Sequence, residues 1–182
     1  DISIKSITKK YLGREEFYVN AYYDAEDDSN KETPIEVIIY HNFDKEVNWD
    51  LKHINSLLIQ VFDAVVHEYK HQRQSRKRSF KTYWHMHDAG FPYHDYLQDP
   101  DEVDAYALSI AIELARNLGK HRALRYMYKF TSLGKLRIKD ELVSPNLNAY
   151  TSHFKDLSHP TLRILAKKVY VRLQKVDTDY IF

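Results

Sequence analysis

Cysteine is absent from the 182 residues. That excludes a disulfide framework, a thiolate metal site and a cysteine nucleophile. It leaves the compartment open, because many secreted chains also lack disulfides. Glycine is scarce. The four that occur, Gly13, Gly90, Gly119 and Gly134, form neither a GxGxxG nor a GxxxxGK[ST] string. Phosphate-cradling loops need such glycines for close backbone approach, so nucleotide-dependent chemistry is not expected. Net charge is also lacking: 27 basic residues face 26 acidic ones, which gives no global attraction to a polyanion. No apolar run approaches the ~18 residues that span a bilayer, and no signal-peptide pattern opens the chain, so no membrane partner is expected. The first residue is Asp1 and not Met, which reads as a trimmed or processed start.

The length suits one domain with a sizeable core. No linker, internal repeat or low-complexity segment divides residues 1–182, so a single domain is expected. Tyrosine is abundant, at 15, and is expected mostly in the core. "FYVNAYY" (17–23) and "IEVIIYH" (35–41) are rich in aromatic and β-branched residues and predict two strands. The polar stretch "DAEDDSNKETP" between them predicts a long-looped hairpin. From Asn48 the period changes. Leu51, Ile54, Leu58, Val61, Phe62, Val65 and Tyr69 recur at i+3 and i+4, which predicts a helix capped by Asn48 or Asp50 and running to about Gln74. Leu57, Ile59, Ala64 and Val66 widen its apolar surface, so it is expected to be central and buried. The remaining arc carries Ser56, Gln60, Asp63, His67 and His71.

Residues 75–98 form a long basic, aromatic and histidine-rich connection, and a loop of that length is more often functional than idle. "DPDE" then starts a second helix. Asp99 is its N-cap, Pro100 its first residue, Glu102 the third position of a capping box, and Gly119 its stop. Val103, Tyr106, Ala107, Ile110, Leu114 and Leu118 make the buried stripe. Further helices are expected at about 120–131, at 145–154 behind a Ser144 cap, and at 159–176 behind a Ser158 cap.

The stretch "VVHEYKHQRQ" holds His67, Glu68 and His71 in the order H-E-x-x-H. Random placement of 10 His and 10 Glu in such a chain yields that order with a probability of roughly 0.03. Imidazoles at i and i+4 share one helical face and can both reach one zinc ion. Glu68 projects beside the pair, where it can hold and deprotonate a water. A catalytic site then requires a third protein ligand and one open position.

These residues resemble the HExxH zinc peptidases known as zincins. The metzincin branch carries Gly and His three and six residues after the second histidine, where this chain has Gln74 and Lys77. The chain is more similar to the gluzincins, which take a glutamate from a later helix, often in an E-x-x-A setting. "EVDAYA" offers Glu102 with Ala105. The order of strands, active-site helix and glutamate helix looks like small, minimal gluzincins, some of them in phage genomes. The resemblance covers about residues 17–118. It implies an α+β zincin-like domain, with a small antiparallel sheet packed on the HExxH helix and a helical C-terminal part closing a cleft. It implies a Zn2+ cofactor held by His67, His71 and Glu102, Glu68 as catalytic general base, and a protein or peptide substrate. A cytoplasmic or virion-associated location follows from the same reading. The edge of the "IEVIIYH" strand is a candidate for strand addition by an extended substrate. For the oxyanion donor, Tyr93, Tyr150, His153 and His159 all stand open.

Two alternatives compete. "HDAGFPYH" places His87, Phe91 and His94 in a spacing similar to the SprT-like proteases, which act on proteins crosslinked to DNA. Their third ligand is a histidine about fifteen residues past HExxH, and His85 and His87 lie near that position. Asp88 departs from the Gly that usually follows it. The run "KHQRQSRKRSFK" would suit a nucleic-acid partner, though Lys70, Arg73, Arg76, Lys77, Arg78 and Lys81 are read first as a solvated helix end. The other alternative is a structural or interaction protein, with a zincin-like site that is vestigial or purely structural. Glu102 itself has a bland role available, as the capping-box partner of Asp99.

Overall fold

The computed structural model describes residues 2–6, 17–30, 33–41, 49–80, 96–133 and 143–176. They form a mixed α and β, mostly helical structure. The chain divides into two compact units, Asp1–Tyr83 and Trp84–Phe182.

The first unit holds β1 (Ile2–Ser6), β2 (Phe17–Tyr22), the short helix α1 (Ala25–Asn30), β3 (Glu36–His41) and the long helix α2 (Leu51–Lys77). β2 and β3 pair antiparallel, with Val19 opposite Ile39 and Ala21 opposite Val37. The expected polar loop between them contains α1. β1 pairs with β3 in parallel, Ile4 opposite Ile39, so the sheet is mixed, in the order β1-β3-β2. β3 is therefore central and paired on both sides. That corrects the expectation that its edge could receive a substrate strand, because its backbone groups are already used.

Alternation decides the sheet's faces. In β2, Phe17, Val19 and Ala21 are buried while Tyr18, Asn20 and Tyr22 are exposed. The buried set joins Val37 and packs against Leu57, Val61, Ala64 and Val65 of α2. Asp50 caps α2 by accepting from the His53 N–H at 2.9 Å. The helix continues three residues past Gln74.

α2 is not the buried helix that its apolar circumference suggests. Leu51, Ile54, Leu58, Ile59, Phe62 and Tyr69 are exposed, Leu51 to 79 %. Three strands cover only one face of a helix about 40 Å long at ~1.5 Å per residue, and the opposite apolar flank stays in solvent. The tyrosines also depart from expectation. Tyr150 is fully buried, whereas Tyr18, Tyr22, Tyr69, Tyr96 and Tyr128 are exposed.

The described part of the second unit is helical: α3 (Pro100–Leu118), α4 (Lys120–Leu133), α5 (Pro145–Phe154) and α6 (Pro160–Lys175). Pro stands in the first turn of α3, α5 and α6, where its missing N–H costs nothing. Gly119 ends α3 at φ 74°, a conformation that suits glycine. The α6 cap is His159, whose ring accepts from the Thr161 N–H at 3.3 Å, and not the expected Ser158, which bonds Asp156. The core joins Val103, Ala107, Ile110 and Leu114 of α3 to Ala123 and Met127 of α4, Leu147 and Tyr150 of α5, and Leu162, Leu165, Val169 and Leu173 of α6. No helix among the described residues is long and apolar enough to cross a membrane.

Candidate metal centre

Packing on the sheet orients α2. Its sheet-facing line runs Leu57, Val61, Ala64, and at ~100° per residue Glu68 continues that line. His71 and His67 occupy the neighbouring arc, about 40° and 80° to one side of Leu57. All three side chains are half-buried. The Nε2 atoms of His67 and His71 stand 3.1 Å apart, with ring centroids 4.8 Å apart and planes at 69°. Two nitrogens each ~2.0–2.1 Å from one tetrahedral zinc would be about 3.4 Å apart. The observed approach therefore fits a shared ion with a shift of a few tenths of an ångström. It also fits a ring-to-ring hydrogen bond between a protonated and a bare nitrogen.

A second set of contacts secures the end of α2 that carries the pair. Asp28, buried on α1, accepts from Arg76 Nε at 2.8 Å and Nη2 at 3.0 Å. It also accepts from the Thr33 N–H at 2.9 Å and the Tyr23 hydroxyl at 2.7 Å. Gln72 adds a bond to the Thr33 carbonyl at 3.3 Å. The Arg76 guanidinium holds the Asp28 carboxyl well below the usual range, assisted by Thr33 and Tyr23 and against the opposing pull of burial. Burial and the bond to Asp28 push Tyr23 up to about 12. This clamp anchors α1 to the turn that follows His71. It also shows that the basic helix end is not simply solvated: Arg76 serves Asp28, and Arg73 lies 6.0 Å over the Tyr69 ring.

In the second unit, Glu102 sits in the first turn of α3 and is 3 % exposed. Asp99 caps this helix as expected, accepting from the Asp101 N–H at 2.7 Å and the Glu102 N–H at 3.3 Å. The reciprocal half of a capping box is not made. The Asp99 N–H donates to the Tyr96 carbonyl at 3.1 Å, so the Glu102 carboxylate is not engaged as a cap. It lies instead close enough to the Tyr96 hydroxyl to act on its titration. The hydroxyl is enclosed although the residue as a whole is 37 % exposed; that burial of the hydroxyl, and then the Glu102 charge, raise Tyr96 far above the ordinary tyrosine range. Ala105 is fully buried.

No family model, curated protein or solved structure matches the chain.

The rival histidines His85, His87 and His94, with Phe91 and Tyr93, lie outside the described residues. Of the oxyanion candidates, Tyr150 is wholly buried against Tyr106, with ring centroids 5.2 Å apart. His159 is the α6 cap and stacks on Phe154 at 4.3 Å. Both therefore have structural duties in the second unit. Asp28 and Tyr96 are the supporting residues that reading the chain did not single out. Asp28 sits in the acidic run "AEDDSN", where nothing local separates it from its neighbours. Tyr96 lies three residues before a cap, and no motif marks it.

Proposed function

We propose that the chain is a zinc-dependent metallopeptidase of gluzincin-like, zincin type, in which His67, His71 and Glu102 hold the ion and Glu68 is the general base. The observation that carries this reading is the 3.1 Å approach of the two imidazole Nε2 atoms on the H-E-x-x-H helix. The sheet packed on that helix is in keeping with a zincin-like first unit. The missing capping-box bond of Glu102 supports a role for its carboxylate other than capping.

When bound, zinc supplies Lewis acidity, making an attacking water more acidic and polarising the scissile carbonyl. The protein's part in each proton step falls to Glu68. It takes a proton from the water as the new C–O bond forms and gives it to the amine nitrogen as the C–N bond breaks. His67 and His71 bind through neutral nitrogens, and Glu102 contributes one negative charge. An extended peptide would add to an outer strand, β1 or β2 among the described strands, because β3 is paired on both sides.

The test proceeds in two stages. Elemental analysis of zinc-loaded protein should find one ion per chain, and none after His67→Ala/His71→Ala. Glu102→Gln should then collapse zinc affinity, whereas His87→Ala should leave it intact. The opposite pattern makes His87 the third ligand and defeats the gluzincin assignment. Glu68→Gln should retain zinc and lose about 100-fold or more in cleavage of a quenched-fluorescence peptide library. Cleavage by Glu68→Gln at the parent rate would remove Glu68 from the mechanism.

A further inference from the structure

Charge is nearly balanced over the chain but not over the second unit's helices. α4, "KHRALRYMYKFTSL", carries four Lys and Arg, and α6, "PTLRILAKKVYVRLQK", carries five; neither has an Asp or Glu. At the chain's own frequency of 26 acidic residues in 182, these two helices would carry about four.

The two helices pack against each other. Lys120 Nζ, at the start of α4, donates to the Val176 carbonyl just past the end of α6, at 2.9 Å, so they run antiparallel. Burial turns Ala123, Met127 and Phe130 of α4 and Leu162, Leu165 and Val169 of α6 inward. Arg122, Arg125 and Lys129 of α4 are left exposed at a spacing of three and four, with Arg163 and Lys167 exposed on α6. The Tyr128 ring, 62 % exposed, stands among them. Lys168 and Arg172 do not belong to this face, because they pair with Asp104 of α3 at 2.9 and 2.7 Å. Arg163 feels Asp156, whose carboxylate is bonded by Ser158. Arg122, Arg125, Lys129 and Lys167 form no ion pair with any described residue.

We propose that this α4–α6 face binds the sugar–phosphate backbone of a nucleic acid. Two adjacent helices lie ~8–10 Å apart and rise ~1.5 Å per residue. Their rows of cations thus present charge over a strip that a chain of phosphates can follow. Three of the five cations are arginines, whose planar fork matches phosphate oxygens. Tyr128 offers a ring on which an unpaired base can stack. A membrane surface is disfavoured, because an interfacial helix needs a broad apolar face: α4 exposes His121, Arg122, Arg125, Tyr128 and Lys129, with no aliphatic residue among its described exposed positions, and α6 exposes only Ile164 and Val171 as large aliphatics beside its cations.

The experiment is fluorescence anisotropy of the full chain with a labelled 20-nucleotide DNA strand and a labelled 20-base-pair duplex, from 50 to 200 mM NaCl. Saturable, micromolar binding should weaken by about 100-fold across that range if four or five phosphates are neutralised. Arg125→Glu/Lys167→Glu should lose roughly 30-fold or more and flatten the salt dependence, with an unchanged melting temperature, since both side chains are exposed. Lys52→Glu/Asn55→Asp/Ser56→Asp, an equal charge change at exposed positions of α2 in the first unit, should lose less than about threefold. Should the reversed variant melt early, Arg122→Gln/Lys129→Gln carries the same test, with about a tenfold loss. A roughly tenfold loss for Tyr128→Ala on the strand alone would mark single strands as the ligand, and no loss would mark the duplex. The proposal is overturned by an absence of saturable binding at 50 mM salt, or by equal losses in the control variant. It is equally overturned if vesicles containing phosphatidylserine are bound while neither DNA is.

Discussion

Asp28 shows how one side chain can secure an end of a long helix from outside it. Its carboxylate draws Arg76, Tyr23 and the Thr33 N–H together. Asp28→Asn keeps the shape and removes the charge, and should cost about 1–2 kcal/mol in urea unfolding, discounted because Arg76 is partly exposed. The pH dependence follows from the direction of the shift. A carboxyl held below its unfolded value contributes stability that is fully present above about pH 4 and is lost as pH falls toward the folded value. Asp28→Asn should therefore unfold less steeply in acid than the parent. At the alkaline end, Tyr23 keeps its proton up to about 12 in the fold. Its contribution is lost as pH rises from about 10 through that value, and Tyr23→Phe should remove that alkaline loss. Circular dichroism across pH checks both directions.

Among the elements, the caps differ in what depends on them. Asp50 bonds only the half-exposed start of α2. Ser144 caps α5 through the Leu147 N–H at 3.2 Å and also donates to Glu113 at 2.5 Å. Glu113 is a buried carboxylate on α3, and Asn146 also donates to it, at 2.6 Å. Asp50→Ala should cost about 1 kcal/mol, the ordinary loss of a cap. Ser144→Ala should cost about 2–3 kcal/mol, because a buried charge also loses a donor. A reversed ranking in equilibrium unfolding would mean that Glu113 is satisfied without Ser144. The exposed flank of α2 belongs to this scale as well. Its apolar spacing foretold a helix correctly but not its burial, because periodicity reports which residues align and not how much of the molecule covers them.

For the whole molecule, the proposed metal should make stability depend on zinc. Binding to the folded chain at about a hundred times Kd contributes roughly 2.7 kcal/mol. For a chain of this length that raises the melting temperature by roughly 5–10 °C. A chelator should remove the gain, and His67→Ala/His71→Ala should melt at the same temperature with and without zinc. A zinc response that survives the double substitution would place the ion elsewhere.

Much of this protein was legible in its residues, because much of it is local. The caps Asp50, Asp99 and Ser144, the prolines one residue after Asp99 and Ser144, and the Gly119 stop act within a turn of themselves, so their helices could be drawn before any packing was known. The β2–β3 pairing follows from two β-rich runs close in sequence. The His67–His71 approach follows from an i, i+4 spacing on one helix. Tertiary structure alone decided what depends on distant partners. β1 joins β3 in parallel from more than thirty residues away and makes it central. Asp28 finds Arg76 across 48 positions, and Asp104 takes Lys168 and Arg172 out of a basic face. Asp99 turns its N–H to Tyr96 and leaves the Glu102 carboxylate to other contacts. Spacing along one element fixes which groups share a face, but partners far along the chain meet only when burial of apolar surface brings their elements together.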